Sequence, residues 1–193
     1  VHTNDIFKMG RLARVMPITS ACFAAGALAL SGVFPTAGFF SKDEVLAAVL
    51  AGGHPIGFAI LVVTAGTTAF YIGRAFFVAM MGPNTAPGHP HEPPAAMKTP
   101  LLVLAVLAVV AGAAARLIPG LFATSIAPHA AAEEHAPFIV PLLGTTAALV
   151  GLGLAFAGYQ KRAFDPANVR RAMGPLVTAL ERRWYVDDVF EFG

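Results

Sequence analysis

Lys42, Asp43 and Glu44 form a three-charge cluster within Gly38-Phe39-Phe40-Ser41-Lys42-Asp43-Glu44-Val45-Leu46, after a run from Val15 to Ser41 that carries no charged residue. Hydrocarbon resists charge, so an ionisable residue at membrane depth is a functional candidate by default. Burial disfavours the ammonium form of Lys42, while a neighbouring carboxylate such as Asp43 favours it. Opposing effects of this kind let a lysine gain and lose a proton near neutral pH. The expectation is a reversible proton carrier at Lys42, with Asp43 tuning it or taking the proton onward. The competing reading is a lysine that ends a span and reaches its ammonium to the interface. Successive residues of a helix diverge by about 100°, so Lys42 and Asp43 need not pair. Glu44 is expected to reinforce the start of its helix.

The apolar run before the cluster is interrupted. Gly32, Pro35 and Gly38 fall in Ser31-Gly32-Val33-Phe34-Pro35-Thr36-Ala37-Gly38, where one continuous helix would otherwise form. Free carbonyls at the end of one half-helix and free amides at the start of the next can hold water or stabilise charge. A broken helix beside a buried charge points to an ion path.

The rest of the chain sets this cluster in a membrane. Of the 193 residues, 56% are hydrophobic and 12% charged, with a mean hydropathy of +0.69, far from the balance of a soluble domain. The expected class is an all-α integral membrane protein. A net charge of +2 is too small to argue for nucleic acid. Cys22, the single cysteine, excludes an internal disulfide and reads as a packing residue. The amino end, Val1-His2-Thr3-Asn4-Asp5-Ile6, has no secretory signal order, and the chain reads as part of a longer one.

Crossing about 30 Å of hydrocarbon takes about 20 helical residues, which yields four spans. The first, 17–51, is too long for one straight crossing, since about 34 residues of helix reach about 50 Å; a break near Pro35 divides it into 17–33 and 39–51. The others are 56–81, 99–117 and 138–160. Residues 1–16 form a basic lead-in, 82–98 a His/Pro loop, 118–137 an exterior loop, and 161–193 an amphipathic surface segment with apolar residues at three- and four-residue steps. Lys8, Arg11, Arg14, Lys98, Lys161, Arg162, Arg170, Arg171, Arg182 and Arg183 all fall on one side, which the positive-inside rule makes cytoplasmic.

Other polar residues carry less. Arg74, about two turns before Pro83, reads first as a cation snorkelling to the boundary and alternatively as a link in a buried polar axis. His54, in Gly52-Gly53-His54-Pro55, is either a solvated loop residue or a proton exit. His89, His91 and Glu92 invite a metal reading, but interleaved prolines favour solvated, extended backbone. His129, Glu133, Glu134 and His135 read as a charged loop cap. Gly144, Ala148, Gly151 and Ala155 read as a helix-packing stripe. Gly151-Leu152-Gly153 lacks the preceding strand and third glycine of a dinucleotide fingerprint.

Asp5-Ile6-Phe7-Lys8-Met9-Gly10-Arg11-Leu12, Met16-Pro17 and Ala37-Gly38-Phe39-Phe40-Ser41-Lys42-Asp43-Glu44 together resemble the distal antiporter-like subunits of respiratory complex I, the subunit L or chain 5 family of NADH–quinone oxidoreductases. His91-Glu92-Pro93-Pro94 and Trp184-Tyr185-Val186-Asp187-Asp188 are similar to two further family segments, although the family commonly has Asp-Glu where Asp187-Asp188 stands. The likeness is dense over the first hundred residues and nearly compositional over 120–181. It implies that Lys42 is the terminal proton site of a half-channel, that further helices lie upstream and a lateral helix downstream, and that the partners are other membrane subunits of complex I. It also implies a bacterial inner membrane location, protons as the transported ion, and no cofactor in this chain, the redox chemistry lying in partner subunits. The alternatives are the large subunit of a multisubunit Na+/H+ antiporter or a membrane-bound hydrogenase relative, and a structural subunit that transports nothing.

Overall fold

Proline and glycine punctuate the chain, and many of the helix ends fall beside them. The computed structural model describes residues 5–83, 90–117 and 138–161, with isolated positions 168, 171 and 174; the expected exterior loop and most of the expected amphipathic segment lie outside these residues. A 3-10 turn, Ile6–Lys8, leads into α1 (Leu12–Val15). Then come α2 (Pro17–Ser31), α3 (Ala37–Ala51), α4 (Pro55–Met81), α5 (Ala95–Leu117) and α6 (Ile139–Tyr159). Pro17 and Pro55 stand in the first turns of α2 and α4, where a missing N–H costs nothing.

Three of these helices, α4, α5 and α6, are long and apolar enough to cross a membrane. The halves α2 and α3 have 15 residues each, about 22 Å apiece, and neither crosses alone. They run end to end. The start of α2 lies at the end of the bundle where α4 finishes, because Gly82 approaches Gly10, and α3 finishes at the Gly52–Gly53 turn that opens α4. Joined at the break, the two halves are long enough together for one further crossing.

Helix α5 departs from the expected 99–117 by starting at Ala95. Pro94 accepts the first helical hydrogen bonds, from Met97 and Lys98, and the Thr99 hydroxyl donates to the Ala95 carbonyl one turn back at 2.9 Å. Pro100 therefore lies inside the helix, early enough to forfeit one bond near an end rather than kink the middle. Lys98 stands on the first turns of α5 instead of in the loop.

Packing follows the small residues. In α6, Ala148 and Ala155 are fully buried, and a Cβ at Gly151 would overlap the Gly66 carbonyl oxygen of α4. Gly73 of α4 leaves 3.1 Å between an added Cβ and Ala155. Lipid-solvated helices gain little from apolar burial against one another, so close backbone approach through such positions holds them together. The outer face of α5, with Val103, Leu104 and Val106 more than half exposed, is apolar and suited to the bilayer.

Candidate functional site

The broken helix is built from its glycines. Gly32 ends α2 in the left-handed region (φ 77°, ψ 40°). Its N–H donates to Ala29 and the N–H of Val33 donates to Leu28, at 3.1 and 3.2 Å, the two bonds of a Schellman ending. That ending leaves the Leu30 carbonyl free for another donor. Lys42 supplies it: Nζ donates to the Leu30 oxygen at 2.6 Å, reaching from the second turn of α3 back across the break.

Gly32 is required twice over. Its backbone conformation disfavours any Cβ, and a Cβ there would stand 2.7 Å from Cδ of Lys42. Gly38 lets the start of α3 press on α2, since a Cβ would overlap the Ala29 carbonyl. Between them, the Phe34–Pro35 peptide is cis, Thr36 is buried with its hydroxyl on the Val33 carbonyl at 2.6 Å, and Phe34, Phe39 and Phe40 meet edge to face.

Lys42 lies nine residues before the end of α3, about 14 Å of helix from the turn into α4. That is close to half of a ~30 Å hydrocarbon layer. A snorkelling lysine would direct its head toward the nearer surface, but this ammonium turns back to the helix end at the break. The partial negative charge of a helix C-terminus favours a cation there.

The opposite end of α2 carries a matching anion. Oε1 of Glu92, in the loop before α5, accepts from the Ile18 and Thr19 amides at 2.6 and 3.3 Å, and Oε2 accepts from the Thr19 hydroxyl at 2.8 Å. Partial desolvation pushes the Glu92 carboxyl up, but the Thr19 hydroxyl, the Thr19 and Ile18 amides and the Lys98 charge outweigh it and hold the group below the usual carboxylate range. Helix α2 thus has a carboxylate at its N-terminus and an ammonium at its C-terminus, each in the sense its dipole favours. In sequence Glu92 is a weak metal candidate and part of a family-like segment; in the structure it caps α2. The available signal was Met16, which offers no polar cap in front of Pro17 and leaves the first amides of α2 in need of an acceptor from elsewhere.

The remaining expected site residues are placed apart. Asp43 faces α6, with Oδ1 3.3 Å from where a Gly144 Cβ would stand, so adjacent Lys42 and Asp43 serve different surfaces of α3. Glu44 is exposed and lies beyond the first turn, which holds no acidic residue; starting at Ala37 puts Glu44 too far along the helix to reinforce its beginning. His54 is exposed at the turn before α4. Arg74 lies between the Phe7 and Tyr159 rings, 5.4 and 5.5 Å from their centroids, and its buried Nε has no acceptor among the described residues. It fastens the amino-terminal turn to the ends of α4 and α6, about 15 Å along α4 from the level of Lys42.

Residues 1–68, which contain the whole broken helix and the start of α4, match the family described as NADH:quinone oxidoreductase/Mrp antiporter, TM. The matched segment belongs to this family. It is 32% identical to NAD(P)H-quinone oxidoreductase chain 5 of Synechocystis over 99% of its own length and 35% of that protein. It is 35% identical to NADH-quinone oxidoreductase subunit L of Mycobacterium tuberculosis, over 92% of the chain and 29% of the relative. With F(420)H(2) dehydrogenase subunit L of Methanosarcina mazei it shares 31% identity over 98% of the chain and 32% of the relative. The chain therefore spans about a third of the length of these relatives. The family match and apolar helices make it a multi-pass membrane protein.

Proposed function

We propose that this chain carries the proton-translocating broken helix of a quinone oxidoreductase membrane subunit, with Lys42 as the group that takes up and releases the proton. One observation carries the reading: the Lys42 ammonium, nine residues from the end of α3, donates to a free carbonyl at a helix break. The bond and the α2 dipole stabilise the charged form, while surrounding hydrocarbon opposes it, so a modest change in nearby charge tips the balance. Asp43, on the neighbouring surface, either tunes Lys42 or accepts the proton onward.

Moving one charge against a membrane potential costs about 2.3 kcal/mol per 100 mV. Lys42 can gate that movement but supplies no energy for it. The engine is quinone reduction in partner subunits, which also hold the nicotinamide, flavin and iron–sulfur chemistry. The similar relatives are named for NAD(P)H, NADH and F(420)H(2), which supports a transport part indifferent to the electron donor. The proposed location is the bacterial inner membrane, with the basic ends cytoplasmic and protons moving outward.

The test is Lys42→Met in the full-length subunit within its assembled complex, read as acidification of inside-out membrane vesicles against quinone reduction. Proton uptake per electron should fall while the complex still assembles. Undiminished uptake overturns the assignment.

A further inference from the structure

We infer that Arg74 is the centre of a binding site for the phosphate of an anionic phospholipid, in the leaflet at the basic end of the bundle, where α4 and α6 meet the amino-terminal turn. Nothing in this site depends on Lys42. A guanidinium offers five N–H donors in a planar fork and no acceptor, and within a span it is expensive unless something polar or anionic meets it. Among the described residues Arg74 has neither a hydrogen bond nor an ion pair, and its buried Nε is left without an acceptor. Its neighbours are the rings of Phe7 and Tyr159, with centroids 5.4 and 5.5 Å from Cζ. Such rings attract a cation and fix its place, but they give its N–H groups no lone pair to bond.

The surroundings of this fork are cationic. Lys8 adjoins Phe7 and Lys161 follows Tyr159 by two residues, and both lysines are exposed. Gln160 donates to the Phe77 carbonyl at 3.0 Å, which holds the end of α6 about one turn from Arg74 along α4. Nζ of Lys161 stands 5.7 Å from the centroid of Phe156, whose ring also meets Phe77. The carboxylates described at this end of the bundle are already engaged. Asp5 accepts from the Phe7 amide at 3.0 Å and lies 3.9 Å from Lys8, and Glu92 holds the first amides of α2. An unmatched positive surface with a fixed guanidinium in it is complementary to an anion from outside the described residues.

Depth favours a lipid as its source. Helix α4 has 27 residues, about 40 Å, which exceeds the hydrocarbon thickness by about 10 Å. Arg74 stands seven residues before the end of α4 at Met81, about 10 Å along the axis. With the excess length shared between the two ends, its Cα lies about 5 Å inside the hydrocarbon edge, and the long stem carries the guanidinium to the headgroup phosphates. A guanidinium takes two phosphate oxygens at once, and basic pockets between transmembrane helices take anionic headgroups. Lys8 and Lys161 add attraction for the same charge from the exposed rim.

The test uses the full-length subunit in its assembled complex, reconstituted in phosphatidylcholine vesicles that contain a trace of photoactivatable phosphatidylglycerol or, in parallel, of photoactivatable phosphatidylcholine. Illumination should label the peptides that carry Arg74 and Tyr159 about fivefold more with the anionic lipid than with the zwitterionic one. Arg74→Gln should abolish that preference, and Arg74→Lys, which keeps the charge but loses the planar fork, should retain part of it. The double variant Lys8→Gln with Lys161→Gln changes exposed residues alone and should lower the preference about fivefold in a complex that still assembles, so the outcome does not hang on the folding of the Arg74 variants. Equal labelling by the two lipids, or an unchanged preference in Arg74→Gln or in the double variant, overturns the inference. So does loss of the phosphatidylglycerol label in an excess of inorganic phosphate, which would make free phosphate the ligand, and so does a carboxylate of a partner subunit crosslinked to Arg74→Lys by a carbodiimide in place of the lipid.

Discussion

Replacing Gly32 with alanine should disconnect Lys42 from the helix break without removing any charged group. Two costs follow from the structure. Alanine in the left-handed region at φ 77° costs about 1–2 kcal/mol. The new Cβ, 2.7 Å from Cδ of Lys42, also displaces the side chain from the Leu30 carbonyl, and a hydrogen bond to a charged group is worth about 1.5–3 kcal/mol. At 1.4 kcal/mol per tenfold, the docked arrangement should lose about two to three orders of magnitude in population. Proton uptake by inside-out vesicles, normalised to quinone reduction and to the amount of assembled complex, should then approach that of Lys42→Met. Asparagine at the same position separates the two costs, because it tolerates the left-handed region but still carries a Cβ. If obstruction dominates, Gly32→Asn and Gly32→Ala are equally impaired; if backbone strain dominates, asparagine restores much of the activity. Wild-type pumping by Gly32→Ala would refute the view that Lys42 must reach Leu30.

The Glu92 bonds should depend on pH with a definite sign. Its carboxyl is held below the usual range in the folded protein, so its stabilising contribution is complete above the ordinary value of about 4.3 and is lost as pH falls through the lower folded value. Hydrogen exchange at the Ile18 and Thr19 amides should stay slow at neutral pH, accelerate only below that ordinary range, and be fast at all pH values in Glu92→Gln; pH-independent protection of the native amides would contradict the clamp. In α6, Gly151→Val should destabilise packing on α4 by about 1–3 kcal/mol through overlap with the Gly66 backbone, whereas Gly153→Ala, where a Cβ meets nothing within 4 Å, should be neutral. Thermal dissociation of the purified complex would show the difference, and equal effects would mean that the stripe is not the contact.

The helices, their approximate ends and the interruption between Gly32 and Gly38 were legible in the chain because they follow from local causes: hydropathy over the width of a bilayer, proline without an N–H, and glycine at a left-handed turn. So was the candidacy of Lys42, since a charge amid apolar residues is visible without coordinates. The start of α5 at Ala95 was less visible, because the Pro94 carbonyl serves the helix even though proline-rich sequence normally marks a loop. What only the tertiary structure decided is partnership across distance. Glu92 reaches amides 73 and 74 positions away, Lys42 turns back to Leu30 rather than toward Asp43, and Phe7 and Tyr159 meet around Arg74. Local sequence sets which backbone groups are left without partners at a helix end; the packing of the other helices determines which side chain arrives to satisfy them.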